Sequence, residues 1–84
     1  MTFAEFQASK RAVPNLSEAL DRPEEYDGPG LVYDGCYYIL VVDDPRGKYE
    51  LILANEDWLT DDLGELEARL YLWAKDDRVW EEGA

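Results

Sequence analysis

From Leu31 to Ala54 the chain passes through three apolar runs: Leu31 to Tyr33, Cys36 to Val42, and Tyr49 to Ala54. Asp34-Gly35 separates the first two; Asp43-Asp44-Pro45-Arg46-Gly47-Lys48 separates the last two. Runs rich in Val, Ile and Tyr between such turn residues predict a three-stranded antiparallel meander. Asp-Gly suits a two-residue type I′ turn, whose central residues both need φ > 0. It pairs Tyr33 with Cys36, Val32 with Tyr37 and Leu31 with Tyr38. In the second connection Pro45 pre-sets φ and Gly47 supplies a left-handed position. Pairing Asp43 with Lys48 then sets Leu40 opposite Leu51. Side chains alternate across a strand. One face therefore carries Tyr33, Cys36, Tyr38, Leu40, Tyr49 and Leu51, and the other Val32, Tyr37, Ile39, Val41 and Ile52, with Glu50 near its end. Both faces are apolar, whereas a half-exposed sheet would alternate apolar with polar. Such a ribbon requires helices over both faces, or a second chain over one. A slip of one residue in the second hairpin would exchange the faces of the third strand.

The flanks read as helices. Thr2 with Glu5 fits a capping box ahead of Phe3, Ala4 and Phe6. This predicts a helix from about Phe3 to Ala12, ended before Pro14, with Lys10 and Arg11 in the last turn, where the macrodipole favours cations. Asn15 with Glu18 repeats the pattern and predicts a short helix over Leu16 to Asp21. Residues 23–30 hold two Pro, two Gly and three acids and read as a loop anchored by Tyr26. Beyond the meander, Thr60 is the expected N-cap of the longest helix, roughly Asp61 to Asp76, with Asp61 and Asp62 in its first turn. Leu63, Leu66, Leu70 and Trp73 form one helical stripe. Leu70 to Trp73 alone also fits a strand; the continuity of the stripe favours the helix and places Trp73 in the core. Glu65 and Arg69 make an i, i+4 pair in the favourable order. Val79 and Trp80 are expected to fold back on the sheet, and residues 81–84 to fray. The expected architecture is one α+β domain over residues 1–84. It is a three-stranded antiparallel β-meander flanked by an N-terminal helix, a short second helix and a longer C-terminal helix.

Length adds one constraint. Eighty-four residues leave room for a single domain with a thin core, burying roughly 60–65% of the extended surface. The single cysteine, Cys36, has no internal disulfide partner, and a reducing, cytoplasmic setting is the simplest reading. No apolar run approaches the roughly 18 residues of a membrane span, and the start of the chain lacks the pattern of a signal peptide.

Charge changes the picture most. Twenty acids stand against eight bases, a net charge of −12. Residues 56–84 alone carry ten acids and three bases, so the excess gathers toward the C-terminus. Direct nucleic-acid binding is disfavoured because the phosphate backbone demands a basic patch. An anionic membrane is disfavoured for the same reason. A basic protein partner is favoured through electrostatic steering, while the plainer account of the same acids is solubility.

Candidate chemistry is sparse. There is no histidine, the commonest general base and metal ligand. Cys36 reads as a small apolar strand residue rather than a reactive thiol. Adjacent acids occur at Glu24-Glu25, Asp43-Asp44, Glu56-Asp57, Asp61-Asp62, Asp76-Asp77 and Glu81-Glu82. Each lies in a turn or at a helix end, without the alternate spacing of a calcium loop. No catalytic residue, cofactor or metal ion is expected. Trp58 and Trp80 lie among acids, and aromatics rimmed by carboxylates suit a basic surface, where Arg stacks and pairs at once. The expected partner-binding residues are Asp43, Asp44, Glu56, Asp57, Trp58, Asp61, Asp62, Glu65, Asp76, Asp77, Trp80, Glu81 and Glu82.

In size and charge, though in no motif, the chain resembles small phage-encoded inhibitors such as DNA-mimic and anti-CRISPR proteins. That likeness implies a non-enzymatic module occupying a basic, nucleic-acid-binding surface of its partner. A helix over residues 61–77 spans roughly 25 Å and carries six acids and two bases. One DNA strand presents about seven charges in that length, so mimicry needs the 43–44 turn and the tail to add charge on the same side. The competing expectation is a structural or accessory subunit, a homodimer through the second sheet face, whose charge serves solubility.

Overall fold

A computed structural model describes residues 1–22 and 26–77. The first helix, α1 (Phe3–Ala8), starts as its capping box dictates. The Thr2 hydroxyl accepts from the Glu5 amide at 3.1 Å, and the Glu5 carboxylate accepts from the Thr2 amide at 2.8 Å. It stops four residues before Ala12, so Lys10 and Arg11 are not in its last turn. Arg11–Val13 forms a strand instead, β1. Val13 is buried in the sheet, which outweighs one more exposed helical turn. Asn15 caps α2 (Leu16–Ala19), its side chain accepting from the Glu18 amide at 3.0 Å. This helix ends short of Asp21, which takes a left-handed φ of 55°.

Four strands follow: β2 (Gly30–Tyr33), β3 (Tyr37–Asp44), β4 (Gly47–Leu53) and β5 (Glu56–Thr60). Among the described residues one antiparallel sheet forms, in the order β1-β2-β3-β4-β5. The α+β class holds, but the sheet has five strands and not three. Gly30, expected in the loop, is already in β2. β1 is too short to show a period of two. β5 opens with two acids after a turn, Ala54-Asn55, that lacks Gly and Pro; Ala54 adopts φ 53°, a region L-residues with a Cβ rarely enter.

The last helix, α3 (Leu63–Asp77), includes Leu70 to Trp73 as the stripe predicts. Its cap is Asp62 rather than Thr60. An Asp62 carboxylate oxygen accepts from the Glu65 amide at 3.3 Å. Thr60 ends β5, and its hydroxyl accepts from the Asp62 amide at 3.0 Å.

Two register slips rearrange the expected faces. Asp34 and Gly35 are left-handed, at φ 50° and 75°, but the turn takes in Cys36 as a third residue. Tyr33 therefore pairs with Tyr37 and Leu31 with Ile39, and Cys36 leaves the strand for the turn. In the second hairpin Asp44 pairs with Gly47 as expected, yet an irregularity between Val41 and Asp44 sets Val41 opposite Tyr49 and Leu40 opposite Glu50. The slips cancel between β2 and β4 and invert β3 alone. Tyr37 and Ile39 thus join Tyr33 and Leu51 in the larger core, while Leu40 joins Val32 on the opposite side.

The chain's own helices cover both sides of the sheet. On the larger side Phe6 of α1 stacks on Tyr33 with centroids 5.0 Å apart and packs against Tyr71 of α3 at 5.5 Å. The Tyr71 hydroxyl donates to the Met1 carbonyl at 2.9 Å. On the smaller side Leu16 of α2 sits so close over Gly30 that a side chain at position 30 would collide with it. Val13, Val32 and Leu40 complete that cluster. Helix α2 spans only four residues, and Ile52 on β4 is left 51% exposed.

Helix α3 buries Leu66, Leu70 and Ala74, together with one charge: Glu67 is 3% exposed. Its carboxylate accepts from the Tyr33 hydroxyl at 2.6 Å, the Lys10 ammonium at 2.9 Å and the Gln7 amide at 3.1 Å. Burial opposes the charged form. Hydrogen bonds from Tyr33, then Lys10 and Gln7, outweigh it and hold the carboxyl below the usual glutamate range. Burial, followed by the bond to Glu67, pushes the Tyr33 phenol far upward.

Tyr33→Phe removes one charge-assisted bond and should lower the unfolding free energy by about 1.5–3 kcal/mol, read from urea denaturation. Folded Glu67 binds its proton less readily than unfolded Glu67. The stability it contributes is complete above the unfolded pKa of about 4.3 and is lost as pH falls through the lower folded value. Across that acid window the Tm of the wild type should drop more steeply than that of Glu67→Gln.

Candidate functional site

Strand β5 is one edge of the sheet. Glu56 and Asp57 at its start are exposed, and Trp58, Leu59 and Thr60 are half-buried. At the other end of β5 the β3–β4 turn comes close. Gly47 lies against the Thr60 backbone with no room for a side chain, and the Lys48 amide donates to Asp61 at 2.9 Å. Tertiary structure therefore brings Asp43 and Asp44 to the same end of the sheet as Asp61, Asp62 and Glu65. Asp44 is not a free charge there. Arg46 grips it at 3.1 Å through two nitrogens, and this pairing holds its carboxyl below the ordinary range. The pair is exposed, so it adds little to stability.

Glu56 lies at the end of the sheet where α3 finishes, lining a hollow with Trp73, whereas Asp57 is within charge range of Arg46. Asp76 lies exposed in the last turn of α3, and Asp77 is its final residue. Trp80, Glu81 and Glu82 lie outside the described residues, as do the expected fold-back of Val79 and the fraying of 81–84.

Trp58 is stacked from within. The Arg69 guanidinium sits 5.0 Å from its ring centroid, and Glu65 accepts from Arg69 at 3.4 Å. Trp73 departs from expectation. It is 41% exposed rather than in the core, because the buried stripe of α3 runs through Leu66, Leu70 and Ala74. The Trp73 ring meets Tyr37 edge-on, with centroids 6.0 Å apart. Two adjoining hollows, about 430 and 330 Å³, share Leu53, Ala54 and Trp73. The first extends to Arg22, Cys36, Tyr37, Tyr38, Ile52 and Leu70. The second extends to Asn55, Glu56 and Trp58. Together they form a groove across the Glu56 end of the sheet, with the left-handed Ala54 at its rim.

Sequence reasoning missed this groove because its wall is the β4–β5 hairpin, whose Ala54-Asn55 turn lacks Gly and Pro. It also missed a carboxylate pair. Glu50 and Asp57 are diagonal neighbours on the outer face of β4 and β5, since Ile52 pairs with Asp57 and Glu50 with Leu59. Partial burial first, then the hydrogen bond and charge of Asp57, raise the Glu50 carboxyl above its usual range. No sequence pattern reveals the pair until β5 exists. Among the described residues no three metal-ligating side chains converge, and no helix is long and apolar enough to cross a membrane.

A raised carboxyl contributes stability below its unfolded pKa and loses it as pH rises through the folded value. At pH 7 Glu50 and Asp57 therefore repel. Glu50→Gln should stabilise the fold at pH 7 by a few tenths of a kcal/mol, with the gain shrinking on acidification in paired denaturation curves.

A scan against protein-family models finds no match, and searches of curated proteins and of solved structures find no chain significantly similar to this one.

Proposed function

We propose that this protein is a non-enzymatic acidic interaction module that docks its β5–α3 side on a basic surface of a partner protein. In the stronger form of this reading, that surface otherwise holds nucleic acid. One observation carries the reading. Glu56, Asp57, Asp61 and Asp62 are exposed carboxylates strung along and just beyond a sheet edge, next to the exposed Trp73 and the half-buried Trp58. Six residue steps from Glu56 to Asp62 reach at most roughly 20 Å. One DNA strand presents about six phosphates in that length, against four carboxylates here, of which Asp57 is on the sheet face opposite α3. Asp43 adds charge at the Asp61 end, whereas Asp44 is paired with Arg46 and Glu65 with Arg69. The charge density is that of a partial mimic, and aromatic contact has to supply the rest of the affinity.

The alternative is an accessory subunit that pairs with a second copy through the outer face of β4 and β5. Ile52 speaks for it. Glu50 and Asp57 beside Ile52 speak against it, because two-fold pairing would oppose like charges. Tyr37 and Ile39, once expected on that face, are buried beneath the chain's own helices.

The test is a pull-down from host lysate followed by salt titration. Captured proteins should be basic, should release between about 50 and 200 mM salt, and should be displaced by duplex DNA. Replacing Asp61, Asp62 and Glu65 together by Lys should weaken capture at low salt. Binding that ignores salt and this replacement would overturn the reading. Sedimentation at micromolar concentration should show a monomer; a salt-insensitive dimer would favour the subunit role.

A further inference from the structure

We infer that the groove beside Trp73 is an arginine receptor: a guanidinium from a basic partner stacks on the exposed Trp73 indole and pairs with the Glu56 carboxylate across the hollow. This rests on the interaction reading above and specifies its anchor.

Three observations lead there. The first is Trp73 itself. An indole 41% exposed on a helix whose neighbouring turns bury Leu70 and Ala74 is apolar surface that the described residues leave open. It meets the Tyr37 ring in a T-shaped contact, with centroids 6.0 Å apart. The second is Glu56. It lines the same 330 Å³ hollow as Trp73, and no described lysine or arginine lies within ion-pair distance of it. A hollow of that volume stands at the small end of the range that receives ligand groups. The third is a precedent inside the molecule. On the neighbouring surface Glu65 holds Arg69, and Arg69 lies over Trp58. Carboxylate, guanidinium and indole are stacked there in that order. Around Trp73 the carboxylate and the indole are present, with Arg22 on the lining of the adjoining hollow, and a partner's guanidinium would complete a second stack of the same kind.

Chemistry selects arginine over lysine. A guanidinium is planar and weakly hydrated, so it stacks on an indole while presenting N–H groups to a carboxylate at its edge. An ammonium is a strongly hydrated point charge and gains less from the ring. The net charge of −12 draws both to the surface; only the groove distinguishes them.

The experiment compares octa-arginine with octa-lysine by calorimetry at one fixed salt concentration, with the indole N–H resonance of Trp73 followed by NMR. Octa-arginine should bind about two- to fivefold more tightly and should shift the Trp73 resonance. Trp73→Ala should bring the two affinities together, with circular dichroism confirming that the helix persists. Glu56→Gln, on an exposed residue of β5 next to the turn, should narrow the preference without touching the core and decides the matter if Trp73→Ala fails to fold. Equal affinities in the wild type, an unmoved Trp73 resonance, or an arginine preference that survives both variants would overturn the inference. In those cases salt-sensitive binding of both peptides would leave the acidic-module reading standing. Failure of both peptides to bind at low salt would overturn the two together.

Discussion

A carboxylate enclosed by apolar side chains demands donors, and Glu67 obtains them from three segments that are distant in sequence. Tyr33 reaches it from β2, Gln7 from α1, and Lys10 from the link between α1 and β1. Desolvating an ion is expensive, and removing one partner leaves an uncompensated charge. The positions of α1, β2 and α3 are therefore coupled: none can move without exposing an unmet hydrogen bond in the core. The same demand helps explain why α1 is short. Lys10 meets Glu67 from a non-helical position, which leaves Arg11–Val13 extended and able to pair with β2.

Around that carboxylate the aromatic residues act as one body. Phe6 stacks on Tyr33 and leans on Tyr37 and Tyr71. Offset and tilted rings at these separations add to the burial of their area. They also explain the register of β3. A two-residue Asp34-Gly35 turn would have aimed Tyr37 and Ile39 away from Phe6. Accepting Cys36 into the turn aims both into the larger core, where they are almost fully buried. An irregularity near Asp43 then restores the phase of β4, so Leu51 faces the same helices. Burial of three large side chains outweighs the preference of a dipeptide for its tightest turn.

The sheet's two edges are unlike each other. β1 is three residues long, and α2 follows it onto the smaller face. β5 is longer, opens on Glu56 and Asp57, and ends in the acids that lead into α3. Charged residues on an edge strand discourage pairing with a stray strand. Here they also surround aromatic surface: Trp58 satisfied from within by Arg69, and Trp73 exposed beside the groove. Glu50 and Asp57 place a repelling pair on the remaining open face next to Ile52, which works against self-association there.

Much of the architecture was legible in the residues. The capping box at Thr2, the cap at Asn15, the Leu66–Leu70 stripe and the β2–β3–β4 meander all follow from rules that act within a few positions, where a side chain and the backbone it satisfies are neighbours. An apolar pattern on both faces of the central strand required cover on both sides, and helices supply it. What the pattern left undecided was settled by partners remote in sequence. β1 and β5 are strands because β2 and β4 offer them hydrogen bonds, not because Arg11-Ala-Val or Glu-Asp-Trp-Leu-Thr reads as one. Trp73 lies outside because Glu67 and Ala74 turn the helix the other way. The acidic surface was countable from composition. Its arrangement about a groove was not, because Trp73, Glu56 and Leu53 share a wall only after the β4–β5 hairpin has closed.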